Sequence, residues 1–342
     1  MDDADVRAVC AAFRIGDPLG PPTEVRGGLV NRMWRLATTR GIFAIKEMNR
    51  DFGRADYLAS FDREFALEQA AFAIGVPMPR PIAVAETGGC LAELPSTNGP
   101  PITVRVHAWI DGVKLENSVR HPPEVAARVG SILARLHALG MKSDVTAADA
   151  LRVFGEDAWR ALVERAESAG VAWASDLRDL LPVLAEFESY VIAARDDSTE
   201  LLLSHRDSDP KNFMRTPDGE LLLVDWDAAG PVNPRHDLAN QALVWAGVHL
   251  GDPDPAIARA FVKAYRGNGG VDETFRRTDL AELFGERLGW FRFNVRRALG
   301  ELMRDETDRA AGEHAIRRNV TQLPRFVRSR NAWLAVLGTG DS

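Results

Sequence analysis

Two short apolar runs interrupt a second half of the chain that otherwise has the periodicity of helices. They are Leu201-Leu202-Leu203 and Leu221-Leu222-Leu223-Val224, and apolar runs of this length between turn residues are typical of strands. Residues 125–139, 159–191 and about 237–337 are rich in Ala, Leu, Glu and Arg at helical spacing. The sequence therefore predicts a mainly helical second half with two short strands inserted into it.

The first half has the opposite pattern. Residues 23–48 alternate turn residues with short apolar stretches, and Arg40-Gly41 provides a tight connection between two of them. A helix with Phe61 and Phe65 on one face follows, and residues 102–110 form a further apolar strand. We expect an α+β chain in which a small antiparallel sheet lobe, residues 1–111, precedes a larger helical lobe, residues 112–342.

Composition excludes several classes of function. The 342 residues carry a net charge of −7 without a block of Lys or Arg, so we expect no nucleic-acid partner. Cys10 and Cys90 lie far apart, which argues against a zinc site or a disulfide framework. The acidic start of the chain and the lack of an apolar run of about 18 residues predict neither a signal peptide nor a membrane partner. We expect a cytoplasmic location.

The segment between the two apolar runs holds the densest polar chemistry of the chain. It contains His205-Arg206-Asp207 and Asn212, and the second run ends in Asp225-Trp226-Asp227. An amide and a carboxylate supply the oxygen ligands that Mg²⁺ takes beside phosphate and water, which suits Asn212 and Asp225. Asp207 is then the candidate base that orients a hydroxyl group.

This segment resembles the catalytic and metal-binding loops of the aminoglycoside phosphotransferase family, small-molecule kinases with a protein-kinase-like bilobal fold. Further matches occur in the order that the family shows, over roughly residues 23–250: Phe43-Ala44-Ile45-Lys46, Gly75-Val76-Pro77-Met78-Pro79, Leu133-Ala134-Arg135-Leu136-His137 and Asp237-Leu238-Ala239. The phosphate-covering loop offers only Gly27-Gly28 before Asn31 instead of three glycines, so its phosphate contacts would come from backbone amides, with Asn31 as a further candidate.

The resemblance implies a set of roles in binding ATP and Mg²⁺. Lys46 would contact the α- and β-phosphates, with either Glu64 or Glu68 as its helical partner. The adenine would lie near the strand that carries His107 and Trp109. The loop residues would act as assigned above, with Asn212 and Asp225 on the metal and Asp207 as the base, while His205 would support the loop and Asp237 would cap the helix that follows.

The implied reaction transfers the γ-phosphoryl group of ATP to a hydroxyl of a small molecule. Aminoglycosides or related antibiotics suit the acidic residues Asp209 and Asp227, although both could equally face solvent. Choline, homoserine or sugar acceptors are the alternative, and Arg296 and Arg297 would suit an anionic one. A non-catalytic pseudokinase is a rival interpretation, whereas the lack of an Ala-Pro-Glu segment disfavours a protein kinase. The oligomeric state stays open.

Overall fold

The computed structural model describes residues 1–25, 31–48, 55–96, 99–151, 153–196, 200–271, 274–302 and 306–338. The chain forms two compact units, of which the first comprises Met1–Glu116 and Pro210–Ala229 and the second Asn117–Asp209 and Gly230–Ser342. Both units are thus discontinuous in sequence, and the lobe boundary after residue 111 stays a prediction. The Gly27-Gly28 loop lies outside the described residues.

The described residues form eleven strands. In chain order these are β1 Thr23–Val25, β2 Arg32–Thr38, β3 Gly41–Glu47, β4 Pro81–Ile82, β5 Ala92–Leu94, β6 Ile102–Ala108, β7 Val113–Lys114, β8 Leu202–Ser204, β9 Phe213–Arg215, β10 Leu221–Leu223 and β11 Gly230–Val232. All of their pairings are antiparallel, as the sequence predicts.

The described residues also form eleven α-helices. They are α1 Asp3–Phe13, α2 Ala55–Ala73, α3 Pro123–Ala138, α4 Ala147–Ala150, α5 Glu156–Ser168, α6 Ala174–Asp179, α7 Leu181–Arg195, α8 Pro234–Trp245, α9 Pro255–Gly267, α10 Ala281–Ala298 and α11 Glu306–Gly338. Among the described helices, none combines the length and the apolar character that crossing a membrane requires.

The main sheet of the first unit has the order β1-β2-β3-β6-β4, and β5 also pairs with β6. One of its faces is apolar because Ile45, Val104 and Val106 are buried there against Val9 and Phe13 of α1. Side chains alternate between the two faces of a strand. The residues that lie between these apolar positions in sequence therefore project from the opposite face.

The two apolar runs that mark the second half do not pair with each other. The strand β10 pairs with β9, and β7 joins them to form a small sheet in the first unit. The strand β8 pairs instead with β11 in the second unit. The polar segment between the runs is therefore divided between the units, and the division falls between Asp209 and Pro210.

Helix packing forms the core of the second unit. Helices α3 and α9 approach so closely that a Cβ atom on Gly130 would lie 2.3 Å from the Phe261 carbonyl oxygen. Every residue of α8 is buried, so this helix forms part of the interior. Its first amides are capped by the side chain of Asn233, which accepts a hydrogen bond from the Arg235 amide. The prediction that Asp237 caps this helix was wrong, because Asp237 lies inside the first turn.

Candidate active site

The polar face of the main sheet carries three basic side chains from two neighbouring strands. Lys46 on β3 lies directly opposite Arg105 on β6, and Ala44 lies opposite His107. Because residues two apart on a strand share a face, Lys46, Arg105 and His107 project together. The Lys46 and Arg105 side chains are only 10% and 3% exposed, so each needs a nearby negative charge.

Lys46 has carboxylate partners after the second apolar run. Its ammonium nitrogen Nζ lies 2.6 Å from Asp225 Oδ1 and 2.9 Å from Asp227 Oδ2. Burial disfavours the charged amine, but Asp227 and Asp225 outweigh it and raise the pKa of Lys46 above its ordinary value. Lys46 is therefore a fixed cation at neutral pH, which suits binding of phosphate groups.

Asn212 and Asp225 both lie at the open end of the β9–β10 hairpin, where Asn212 is opposite the residue that precedes Asp225. The Val224 amide donates to the Asn212 carbonyl at 2.8 Å, which extends the strand pairing by one residue toward Asp225. Asp225 has a left-handed backbone with φ of 67°, a conformation that Asp tolerates better than most residues. Its side chain is 41% exposed, so this carboxylate is accessible to a ligand from solvent.

Asp227 is the residue whose importance the sequence did not reveal. Its Oδ1 accepts from Arg105 Nη1 at 3.0 Å, and its Oδ2 accepts from Asn31 Nδ2 at 2.9 Å and from the Lys46 ammonium. The side chain is only 15% exposed. Of the two environments considered from the sequence, solvent or a cationic acceptor, neither describes it, because its cationic partners belong to its own unit.

The ion pairs of Lys46 described above are with aspartates and not with the α2 glutamates. Glu68 is fully buried, and its carboxylate accepts from Arg105 Nη2 at 2.6 Å and from His107 Nε2 at 2.7 Å. Burial would raise the pKa of Glu68, but Arg105 and His107 lower it to about 2. Glu64 lies one turn earlier on α2. The helical partner of Lys46 in the nucleotide-bound protein stays a prediction.

His107 and Trp109 are the predicted adenine-side residues. His107 is engaged by Glu68, and Trp109 Nε1 donates to Asp111 at 2.8 Å. The Trp109 backbone amide donates to the Ile42 carbonyl at 2.9 Å. These groups are already bonded inside the unit, and their contact with an adenine stays a prediction.

In the second unit, helix α8 holds the segment that contains Asp207. Three α8 side chains spaced four residues apart bind alternate residues of this segment: Asp237 accepts from the Ser204 hydroxyl at 2.7 Å, Gln241 donates to the Arg206 carbonyl at 3.2 Å, and Trp245 donates to the Ser208 carbonyl at 2.8 Å. Residues at this spacing share one face of a helix. The backbone on both sides of Asp207 is thereby fixed to a rigid element.

A buried hydrogen-bond network supports this attachment. His137 Nε2 lies 3.1 Å from Asp237 Oδ2, and His137 Nδ1 lies 2.7 Å from the Tyr265 hydroxyl. Burial would raise the pKa of Asp237, but the hydrogen bonds from His137 and Ser204 lower it. His205 is also completely buried, which agrees with the supporting role predicted for it.

Three carboxylates of the second unit act electrostatically on a fourth, Glu286; we call Asp207, Asp209, Glu282 and Glu286 the acidic group. Burial raises the pKa of Glu286 well above its ordinary value, and the charges of Glu282, Asp209 and Asp207 raise it further. The neighbouring Asn240 amide group of α8 opposes this shift. Glu286 could not be identified from the sequence, because its neighbours come from distant segments.

The arginines at the end of α10 are engaged by acidic residues. Arg296 lies 2.7 Å from Glu301, and Arg297 forms a buried ion pair with Asp308. Phe291 of the same helix is fully buried. The amphipathic-core interpretation of this segment therefore describes it better than an anion-binding site does.

Comparison with known proteins places this site in a family. The family model described as the phosphotransferase enzyme family matches residues 22–280. The chain belongs to this family. Membership confirms the family predicted from the sequence.

A curated relative and solved structures resemble this phosphotransferase. This chain is 32% identical over 186 residues to a homoserine kinase from Afipia carboxidovorans. The aligned stretch covers 52% of this chain and 51% of the relative. The chain thus matches about half the length of that protein.

Solved structures match over much more of the chain. One is an amicoumacin kinase in complex with AMP-PNP, Ca²⁺ and Ami, with a TM-score of 0.62, 14% identity, and coverage of 94% and 93% of the two chains. A choline kinase from Streptococcus pneumoniae has a TM-score of 0.61 at 14% identity and covers 94% and 99%. These likenesses confirm the predicted kinase-like α+β fold.

Proposed function

We propose that this family member is an ATP-dependent phosphotransferase that moves the γ-phosphoryl group of ATP to a hydroxyl of a small polar molecule. The observation that carries the proposal is the contact of 2.6 Å between Lys46 Nζ and Asp225 Oδ1. It joins, within one compact unit, a cation suited to phosphates and a carboxylate suited to a divalent metal. Phosphoryl transfer depends on this combination, since its catalysis is mainly positioning and electrostatic stabilisation.

In this proposal the first unit binds the nucleotide. Lys46 would bind the α- and β-phosphates, and Asn212 and Asp225 would hold Mg²⁺. The donors fit, because Mg²⁺ prefers oxygen ligands and takes only one or two from protein carboxylates or amides. The metal would offset the negative charge of the phosphate oxygens.

Asp207 performs the proton transfer. Its carboxylate orients the acceptor hydroxyl and accepts its proton as the hydroxyl oxygen bonds to the γ-phosphorus. The bond between that phosphorus and the oxygen bridging to the β-phosphorus breaks, and a phosphate ester and ADP result. The attachment of the loop to α8 supports this role, because a fixed base needs little reorganisation.

We propose further that the acceptor carries a protonated amine. The acidic group places several carboxylates around Asp207 and Glu286, and such a concentration of negative charge favours a cation. Aminoglycosides, amino alcohols and amino acids with a hydroxyl group meet this requirement. Acting on the first class would make the protein an antibiotic-resistance factor.

We place the reaction in the cytoplasm. The thiols of Cys10 and Cys90 are buried and form no disulfide, which suits a reducing compartment.

The test is a transfer assay that measures ADP formation from Mg-ATP over hydroxyl compounds with and without an amine. We expect amine-bearing acceptors to be phosphorylated and matched neutral polyols to react poorly. Asp207→Asn should lower turnover by about 10²–10⁴-fold, since it removes a general base. Its affinity for AMP-PNP, measured by calorimetry, should stay within about twofold because binding does not use the base.

The control is Asp196→Asn, which changes an exposed aspartate at the end of α7 and should leave both quantities unchanged. Full turnover by folded Asp207→Asn would refute the assigned base. A wild type that binds nucleotide but phosphorylates nothing would favour the pseudokinase alternative.

A further inference from the structure

We propose that Arg105 and Asp227 are positioning residues that connect Glu68 of α2 to Lys46 and hold its ammonium group ready for the nucleotide. The proposal rests on the proposed function, in which Lys46 is the phosphate contact. In the kinase arrangement the strand lysine pairs directly with a helix glutamate. Here that connection runs through two intermediate side chains.

The two aspartates that bind Lys46 differ in the exposure of their side chains. The Asp225 side chain is 41% exposed, whereas that of Asp227 is 15% exposed. Asp225 is the proposed metal ligand, so its carboxylate would have to bind the metal as well as Lys46. Asp227 remains as the carboxylate that fixes Lys46.

Asp227 is itself held on both oxygens. Arg105 binds Oδ1, and Asn31 shares Oδ2 with Lys46. A carboxylate fixed on both oxygens has little freedom to rotate, so its direction is set before a ligand arrives. The position of Lys46 therefore depends on what holds Asp227.

Arg105 is the branch point of the connection. Its Nη1 binds Asp227 at 3.0 Å while its Nη2 binds Glu68 at 2.6 Å, so one guanidinium group joins two carboxylates. Phe61 of α2 lies under the group, with 5.5 Å between the Arg105 Cζ and the ring centroid. Lysine has no planar fork and could not bind both carboxylates in this way.

Glu68 completes the connection by controlling Arg105. The buried Arg105 cation is shared between Glu68 and Asp227, and neutralising Glu68 leaves Asp227 as the one carboxylate contact that the described residues provide. Arg105 would then be drawn toward Asp227 and would compete there with Lys46. Glu68 thus influences Lys46 although the two are not hydrogen-bonded to each other.

The experiment compares Asp227→Asn, Glu68→Gln and Arg105→Lys with the wild type. Calorimetry measures the Kd for AMP-PNP with and without Mg²⁺, and kinetics give KM for ATP, KM for the acceptor and kcat. We expect the Kd and KM for the nucleotide to rise about tenfold, since charged hydrogen bonds that orient Lys46 are lost. KM for the acceptor should stay unchanged.

The double variant tests the connection itself. If Glu68 acts through Asp227, adding Glu68→Gln to Asp227→Asn should raise the nucleotide Kd no further, because coupled residues are not additive. Additive effects would overturn the connection. Asp218→Asn and Glu86→Gln, which change exposed acids of the same unit, are the matched controls.

A purely structural role would lower the melting temperature and leave the nucleotide Kd of the folded variant unchanged, and that result would overturn the proposal. Should Glu68→Gln fail to fold, the better exposed Asp227→Asn and the charge-preserving Arg105→Lys decide the question. A wild type that binds nucleotide without transferring phosphate defeats the proposed function, yet the Kd comparison still decides this proposal. A wild type that binds no nucleotide refutes both.

Discussion

At the scale of single residues, the candidate site shows backbone strain beside its polar groups. Arg206, which precedes the proposed base Asp207, has a φ of 66°. Asp225, the proposed metal ligand, has a φ of 67°. Positive φ is unfavourable for most residues other than glycine. Asn is the suitable replacement for Asp225, because Ala would add a conformational penalty to the loss of the carboxylate.

Glu286 allows a prediction about pH. Its pKa is raised by burial and by neighbouring carboxylates, so above the ordinary glutamate value the unfolded chain releases a proton that the folded protein retains. The unfolding free energy therefore falls as pH rises through this window. Glu286→Gln removes the effect, and its melting temperature should exceed that of the wild type by an amount that grows from pH 5 to pH 8.

The same substitution should weaken the acceptor site. A bound amine would favour the ionised form of Glu286, which Gln cannot adopt, so the substitution should raise KM about tenfold for an amine-bearing acceptor and leave KM for ATP unchanged, given the usual strength of a charged hydrogen bond. Equal melting temperatures at both pH values would contradict the raised pKa. A residue that binds a ligand can do so at a cost to the stability of the folded state.

Individual residues differ in how far the sequence could predict them. Asp225 follows from a local pattern and Lys46 from the family resemblance, and the structure brings their side chains together. The alternation Val104-Arg105-Val106-His107 could have placed Arg105 and His107 on the face of Lys46, because residues between buried ones on a strand point the opposite way. Asp227 could not be assigned, since its partners depend on tertiary packing.

At the scale of elements, the pairing of the short strands and the position of the buried helix α8 determine where the loop residues lie. The sequence predicts the short apolar runs as strands, but each run pairs with a segment that has little apolar signal of its own. Strands β9 and β11 have three residues each, too few for periodicity to identify. Helix α8 is buried all round, so its amphipathic pattern is absent as well.

The contact between α3 and α9 gives a prediction at this scale. Gly130→Ala should lower the unfolding free energy by about 1–3 kcal/mol, because the added methyl group meets the Phe261 carbonyl and must separate the helices. Gly289→Ala is the matched control, since a Cβ on this α10 glycine meets no atom within 4 Å.

The control should be neutral or stabilise the protein by up to about 1 kcal/mol through helix propensity. Chemical unfolding monitored by circular dichroism measures both variants. Equal stability of the two variants would show that α3 and α9 can separate without cost.

At the scale of the whole molecule, one unit is assembled from two distant parts of the chain. The segment Pro210–Ala229 folds with Met1–Glu116, so the Lys46 partners arrive only after the first part of the second unit, Asn117–Asp209, has been synthesised. Such a non-local arrangement leaves no local trace in sequence. Family resemblance supplied the fold class, whereas the two-part composition of the units required the structure.

Nucleotide binding should therefore stabilise the molecule only when the binding residues of both segments, Met1–Glu116 and Pro210–Ala229, are present. Mg-AMP-PNP should raise the melting temperature, because a ligand present at about 100 times its Kd contributes about 2.7 kcal/mol. Lys46→Met and Asp225→Asn should lose most of the shift, and EDTA should reduce it in the wild type. Thermal scanning with dye detection measures these changes, and an undiminished shift in Lys46→Met would contradict the assigned phosphate contact.

The buried thiols make the natural chain suitable for selective labelling. Burial and the charge of Asp17 raise the pKa of Cys10, and Cys90 is only 1% exposed, so both should react slowly with maleimides, which attack thiolates. New cysteines in place of Leu19 and Ile192, which are 68% and 50% exposed on different units, would take up the dyes first. Energy transfer between two such fluorophores could then follow the protein through its catalytic cycle without removing either native sulfur atom.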